Sequence, residues 1–240
     1  MNDIAANLAT IERRIAEAAA RAGRTADEVR LLPVSKTKPP ETVMEAYAAG
    51  YRRFGENKVQ EASAKAEALA DVEGIEWAVI GHLQTNKAKD VARFAAEFQA
   101  LDSLRVAREL DKRLQREGRR LEVLVQVNSS DEDQKFGLPA SDVVDFAREL
   151  RAFDALDVRG LMTLALFTDD HERVAACFSV MQHLQRALRD SDGAGWGELS
   201  MGMSGDFELA IEHGATCVRV GQAIFGDRLD PNDYWPGIQN

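Results

Sequence analysis

The stretch 103–127, SLRVARELDKRLQREGRRLEVLVQV, reads as a helix followed by a buried strand. The helix is predicted over 103–117, with Ser103 placed as its N-cap and Gly118 as its stop signal. The strand is predicted over 122–127, where the run 123–127 is nearly unbroken in apolar character. Such a strand belongs in a parallel sheet with both faces covered by crossover helices.

The same unit recurs on either side. Strands are also predicted at 30–34, 51–54, 77–80, 97–101, 158–164, 198–201 and 216–220, which makes eight. Helices at 41–49, 58–70, 86–94, 141–151, 171–188 and 207–213 fall between them, with Ser141 placed as an N-cap and Gly50 as a stop. Ahead of the first strand, Ile4, Leu8, Ile11, Ile15 and Ala19 recur at helical spacing until Gly23, an additional N-terminal helix. Eight β/α repeats fit a small (β/α)8 TIM-type barrel. A doubly wound sheet has the same alternation, because strand number alone does not prove closure. No linker, repeat or low-complexity block divides the chain, so residues 1–240 are expected to form one α/β domain.

The 240 residues carry 30 Lys and Arg against 40 Asp and Glu, a formal charge of −10. Phosphate backbones are bound through clustered base, so no nucleic-acid partner is expected, whereas one pocket for a small anion is compatible with this balance. Cys177 and Cys217 read as two buried thiols rather than a disulfide framework. The first residues mix acid with base and lack a secretory pattern, and the most apolar stretch, 161–167, falls far short of the roughly 20 residues that cross a bilayer. A cytoplasmic protein without a membrane partner is expected. His171, His183 and His213 are scattered over helices without ligand spacing, so no metal site is expected.

In a barrel, functional groups come from the C-terminal strand ends and the loops after them. Lys36 follows the first strand directly. An amine at the end of a buried strand is partly desolvated, which lowers its pKa and makes it a nucleophile towards aldehydes. Taken alone, Lys36 reads sooner as a solvated loop lysine, because lysines are usually exposed, and Lys38, followed by Pro39 and Pro40, fits that description better still. The segment 198–206 joins a strand to a helix with two hydroxyls, Ser200 and Ser204, and two glycines, Gly202 and Gly205. Gly221 and Gln222 follow the eighth strand. Glycines admit backbone N–H groups close to an anion, and a phosphate between the last two strand loops is a recurrent barrel arrangement. Ser204 as a plain helix cap and Gly221 as a plain turn explain each loop separately.

The motifs Val34-Ser35-Lys36-Thr37-Lys38, Phe54-Gly55-Glu56-Asn57-Lys58-Val59-Gln60-Glu61, Ile80-Gly81-His82-Leu83-Gln84-Thr85-Asn86-Lys87, Gly160-Leu161-Met162-Thr163 and the two loops above occur in order over nearly the whole chain. Together they resemble the pyridoxal phosphate homeostasis protein family. That resemblance implies a barrel similar to the N-terminal domain of alanine racemase and a protein without established turnover. It implies that Lys36 forms a Schiff base with pyridoxal 5′-phosphate. Ser200, Ser204 and backbone groups around Gly221 and Gln222 would hold the phosphate, Arg219 would face the pyridine nitrogen, Asn57 would lie beside the ring, and His82 and Met162 would line the pocket. Gln222 departs from the small hydroxyl residue often found there in relatives. The implied role is intracellular vitamin B6 homeostasis as a monomer, storing, buffering or delivering the cofactor, with pyridoxal-dependent apo-enzymes as transient partners.

Two features bear on catalysis. A guanidinium only donates hydrogen bonds, so a pyridine nitrogen facing Arg219 stays unprotonated and the ring is a weaker electron sink. Racemisation also needs a second acid/base, a tyrosine in the racemases, and Tyr47, Tyr51 and Tyr234 do not fall at the barrel mouth. No residue is therefore assigned a catalytic role. An amino-acid racemase and a cofactor-free lysine aldolase are the competing readings. Lys135, in Lys135-Phe136-Gly137 after the fifth strand, reads either as an aid to cofactor entry or as a solvated lysine.

Overall fold

The computed structural model describes residues 3–227 apart from 131, 133, 134 and 193. Eight parallel strands run β1 Arg30–Pro33, β2 Arg53–Glu56, β3 Glu76–Val79, β4 Glu97–Leu101, β5 Leu121–Asn128, β6 Leu156–Met162, β7 Glu198–Ser200 and β8 Cys217–Val220. A further two-residue strand, Leu138–Pro139, pairs with the end of β5 outside the barrel. The helices are α1 Ile4–Arg21, α2 Pro40–Ala48, α3 Val59–Ala68, α4 Ala88–Phe94, α5 Leu104–Glu117, α6 Val143–Leu150, α7 His171–Asp192, α8 Phe207–Glu212 and α9 Gln222–Phe225. The sheet closes the barrel in sequence order, with β8 paired to β1. A doubly wound order is thereby excluded.

The seam between β1 and β2 is held by one bridge, Val34 to Gly55, with the Ser35 N–H donating to the Gly55 carbonyl at 3.0 Å. The residue responsible is Pro33. The N–H groups of Arg30 and Val34 point to β8, at 2.8 and 2.9 Å from the Thr216 and Val220 carbonyls, so alternation turns position 33 towards β2. A proline has no N–H to offer there, and the ladder opens.

Gly118 ends α5 at φ 64°, and Gly50, at φ 103°, follows α2. Ser103 occupies the N-cap position of α5 with extended backbone but makes no capping bond. Ser141 is no cap: it lies within the 3₁₀ turn Ala140–Asp142, and its hydroxyl donates to Asp142 at 2.7 Å. The first turn of α6 is entered from that tighter helix, which removes the usual capping geometry. β2 is displaced two residues from its expected span, and the four-residue helix α9 is an addition.

α1 buries Ile4, Leu8, Ile11, Ile15, Ala18 and Ala19 and packs on α8 and α9, the helices that follow the last two barrel strands. Each large side chain buried in this way contributes about 1.5–3 kcal/mol before entropy is counted. Asn7 donates to the Ile224 carbonyl at 2.9 Å and Arg14 to Glu208 at 2.7 Å, so polar contacts also tie α1 to α8 and α9. Among the described residues no helix is long and apolar enough to cross a membrane. Cys177 and Cys217 are buried and unbridged.

Candidate functional site

Charged residues at or near the starts of several strands converge inside the lower end of the barrel. Arg30 grips Glu97 with both nitrogens at 2.9 and 3.0 Å, and Arg53 reaches Glu97 at 2.8 Å and Glu122 at 2.6 Å. Burial alone pushes the Glu97 carboxyl up, but Arg30 and Arg53 outweigh it and hold it below the usual range. From Glu97 a hydrogen-bonded chain rises through the interior. Gln99 donates to Glu97 at 2.6 Å, and Ser200 donates to Gln99 at 2.7 Å. Arg219 donates to Ser200 at 2.6 Å and to the Thr163 carbonyl at 2.7 Å.

Arg219 is only 3% exposed, and burial lowers its pKa while Cys217, Asp206 and Glu97 oppose that shift. A guanidinium keeps its proton nonetheless. The register pairs Arg219 with Leu32 of β1, so Arg219 and Lys36 arise from adjacent strands. Lys36 is half-buried in the turn directly after the Val34–Gly55 bridge. Met162 is fully buried and stands in register between Gln126 and Ser200, hence on the same sheet face as Ser200.

The loops after β7 and β8 lie side by side. Gly202 takes φ 94° and is so tightly packed that a Cβ would meet the Phe207 backbone at 2.8 Å. The Met203 N–H donates to Asp206 at 2.6 Å, which leaves Ser204 half-buried and Gly205 exposed at the tip. Burial raises the Asp206 carboxyl above its ordinary range against the pull of the Met203 N–H and Arg219. Gly221 abuts the Val34 carbonyl, and the first N–H groups of α9 have no acceptor within that helix. Gln222 is exposed, its amide donating to Asp227 at 2.9 Å.

Asn57 and His82 stand on the exposed rim. A Cβ on Gly81 would lie 2.1 Å from the Asn57 carbonyl, so the two loops meet at that glycine. His82 stacks on Phe136 with ring centroids 4.1 Å apart and sits 3.6 Å from Asp102. Lys135 donates to the Ala165 carbonyl at 3.1 Å and pairs with Glu132, tying two rim loops together.

Three expectations change. Ser200 is fully buried with its hydroxyl already engaged by Arg219 and Gln99, so of the two serines only Ser204 reaches a loop surface. Lys38 is not a solvated loop lysine. It is 6% exposed, its Nζ donates to the Asp227 carbonyl, and burial lowers its pKa against the opposing charge of Asp227. Lys135 is a loop tie rather than a freely solvated amine. Tyr47 bonds the Glu73 carbonyl and Tyr51 bonds Glu12, while Tyr234 lies outside the described residues. Among those residues no group of three or more His, Cys, Asp or Glu is placed to hold a metal ion.

Sequence reasoning assigned no role to Gln99 or Lys65, nor a specific one to Thr163, Glu56 and Glu61, although those three lie within the motifs above. A signal existed for the buried cluster of Glu56, Glu61 and Lys65: Glu61 and Lys65 are one helical turn apart, and Glu61 closes a quoted motif.

Residues 6–229 match the family described as alanine racemase, N-terminal domain. The chain is 40% identical over 232 residues to the pyridoxal phosphate homeostasis protein of Escherichia coli strain K12, covering 95% of this chain and 98% of that one. It is 41% identical to the protein of the same name from Pseudomonas aeruginosa, over 95% and 97% of the two chains. Among solved structures, PipY of Synechococcus elongatus with PLP bound superposes with a TM-score of 0.82 at 33% identity, over 93% of this chain and all of that one. An alanine racemase from Clostridium difficile, at 14% identity and TM-score 0.69, shares the fold and extends well beyond it, since only 59% of that chain is covered. With that breadth of identity and a barrel matched from end to end, the chain belongs to the pyridoxal phosphate homeostasis proteins, within the family of the alanine racemase N-terminal domain.

Proposed function

We propose that this protein binds pyridoxal 5′-phosphate and stores, buffers or delivers it in the cytoplasm as a monomer, with apo-enzymes that use the cofactor as transient acceptors. The observation that carries this reading is the buried Arg219 guanidinium, fixed by Ser200 and Thr163 on the strand adjacent to the Lys36 turn. The donor set fits the group. Lys36 offers an amine at a strand end, Arg219 offers a donor to the ring nitrogen, and the loops carrying Ser204, Gly221 and Gln222 offer hydroxyl and backbone N–H groups to a phosphate dianion. Asn57, His82 and Met162 complete the surroundings.

The bound group supplies an aldehyde. Lys36 would hold that aldehyde through an imine, water being released. Arg219 would offer the ring nitrogen a donor and so keep it unprotonated, which would favour holding the ligand over carbanion chemistry. Neither Tyr47 nor Tyr51 is placed to act as a second acid/base, so turnover is absent or weak.

The test is the absorption spectrum of the protein with pyridoxal phosphate, followed by borohydride reduction and peptide mapping. A visible band removed by borohydride, with the label on Lys36, is expected. Lys36→Ala should lose the band and retain weaker, non-covalent binding. A full band in that variant, or label on another lysine, overturns the assignment.

A further inference from the structure

Behind the Lys36 turn, on the outer side of β1 and β2, lies the cluster that the sequence did not announce. Lys65 of α3 is 0% exposed. Its Nζ donates to the Ser35 carbonyl at 2.7 Å, to Glu56 at 2.6 Å and to Glu61 at 2.8 Å. An ammonium has three protons, and all three are used. The Ser35 hydroxyl donates to Glu56 at 2.6 Å, and the Thr37 N–H donates to Glu61 at 2.6 Å. The residue before Lys36 is thus held by its carbonyl and hydroxyl, and the residue after it by its N–H.

Thr37 has φ 63°, the one positive φ outside glycine among the described residues. For a β-branched side chain that conformation is costly and survives only where the surroundings over-determine it. The Thr37–Glu61 bond provides that constraint. Burying one ammonium with two carboxylates is also a poor route to stability, because apolar side chains of similar volume serve as well or better. It is a good route to one backbone geometry, since each bond is directional and desolvated. The open seam at Pro33 explains the need: the backbone pairing of this end of β1 with β2 is the single Val34–Gly55 bridge.

We propose that Glu61 and Lys65 are positioning residues for Lys36, gripping the backbone on both sides of it and fixing the turn from which its side chain enters the site. This rests on Lys36 being the residue that condenses with the cofactor. The two carboxylates divide the work: Glu56 secures Ser35, and Glu61 secures Thr37.

The test compares Glu61→Asp, Glu61→Gln and the native protein with two ligands. Pyridoxal 5′-phosphate can condense with Lys36; pyridoxamine 5′-phosphate, with an amine in place of the aldehyde, cannot, and reports the ring and phosphate contacts alone. Glu61→Asp keeps the charge but withdraws the carboxylate by one methylene, out of reach of the Thr37 N–H. It should lose about tenfold in affinity for pyridoxal phosphate, the scale of one charge-assisted hydrogen bond, and a matching share of the borohydride-trapped product on Lys36. Its affinity for pyridoxamine phosphate should stay native. Glu61→Gln keeps both reach and an acceptor oxygen and should restore trapping. Equal weakening of both ligands would make the cluster mere structural support and overturn the proposal, as would native trapping in Glu61→Asp. A native protein that traps nothing on Lys36 would instead bring down the functional reading itself, and that arm is read before any variant.

Discussion

Nη1 of Arg219 donates to Oγ of Ser200 across 2.6 Å in the interior of the barrel. Because arginine only donates, Ser200 must pass its own proton on, and it does so to Oε1 of Gln99 at 2.7 Å. Gln99 then turns its amide nitrogen to Glu97, whose carboxylate is held ionised by Arg30 and Arg53. Every donor in this chain has one direction available, so the orientation of Arg219 at the mouth is set from the opposite end of the barrel.

Ser200→Ala strands Nη1 of Arg219 and Oε1 of Gln99 in the interior. A stability loss of about 1–3 kcal/mol is expected from the unsatisfied groups. Denaturant unfolding measures it, and an unchanged midpoint would show that the chain contributes nothing.

Ser204→Ala behaves differently, because that serine lies on the loop surface. Stability should stay native while affinity for pyridoxal phosphate falls by about 1.5–3 kcal/mol, the range for a hydrogen bond to a charged group. Pyridoxal lacking the phosphate should bind the native protein poorly. Equal affinity for the two forms, measured by titration, would remove the phosphate from these loops.

Glu56 gives a pH signature. Burial pushes its carboxyl up to about 7 from 4.5, with Lys65 pulling the other way. The folded state therefore holds a proton that the unfolded state has released between these values, and stability falls as pH rises through this window, by up to about 1.4 kcal/mol per pH unit. Glu56→Gln mimics the protonated acid and should flatten that slope, costing little below the window and gaining on the native protein above it. Parallel pH profiles of unfolding free energy for the two proteins would refute the assignment.

Alanine of either hand, incubated with the loaded protein, should not be racemised at enzyme-like rates. An Arg219 facing the ring nitrogen, as proposed, would disfavour the carbanion, and neither Tyr47 nor Tyr51 stands free to supply the second proton. Chiral analysis together with deuterium uptake over hours reads both parts. Racemisation at roughly 1–10³ turnovers per second would make the protein an enzyme.

Gly81→Ala should disturb the mouth through the backbone of Asn57, one of the residues proposed to surround the ligand. The new methyl would collide with the Asn57 carbonyl, which is backbone and cannot swing aside. Weaker binding of pyridoxal phosphate and pyridoxamine phosphate alike is the expected result, read by titration.

The β/α alternation was legible because it is local. Apolar runs such as 123–127, the left-handed stop at Gly118 and the helical spacing of α1 each express the preference of a few neighbouring residues. Ser141 misled for the same reason: a serine before an apolar run is a cap only if the turn ahead of it is extended, and here it is a 3₁₀ turn. At the site, Lys36 could be singled out from its place at a strand end, since strand direction assigns that end to the mouth, whereas Arg219 was implied by the family resemblance.

The order of strands and helices and the set of groups at their ends follow from local sequence. Which charges are buried, and what they touch, follows from the closed barrel. Lys38 looked solvated until Asp227, 189 positions away, closed over it. Ser200 looked like a phosphate ligand until Gln99, 101 positions away, took its proton. Glu61 and Lys65 carried no assignment until the fold set the residues on either side of Lys36 against them. Periodicity reports which face of an element is apolar, but the partner of a buried charge is fixed only when the barrel closes, because that partner comes from a distant part of the chain.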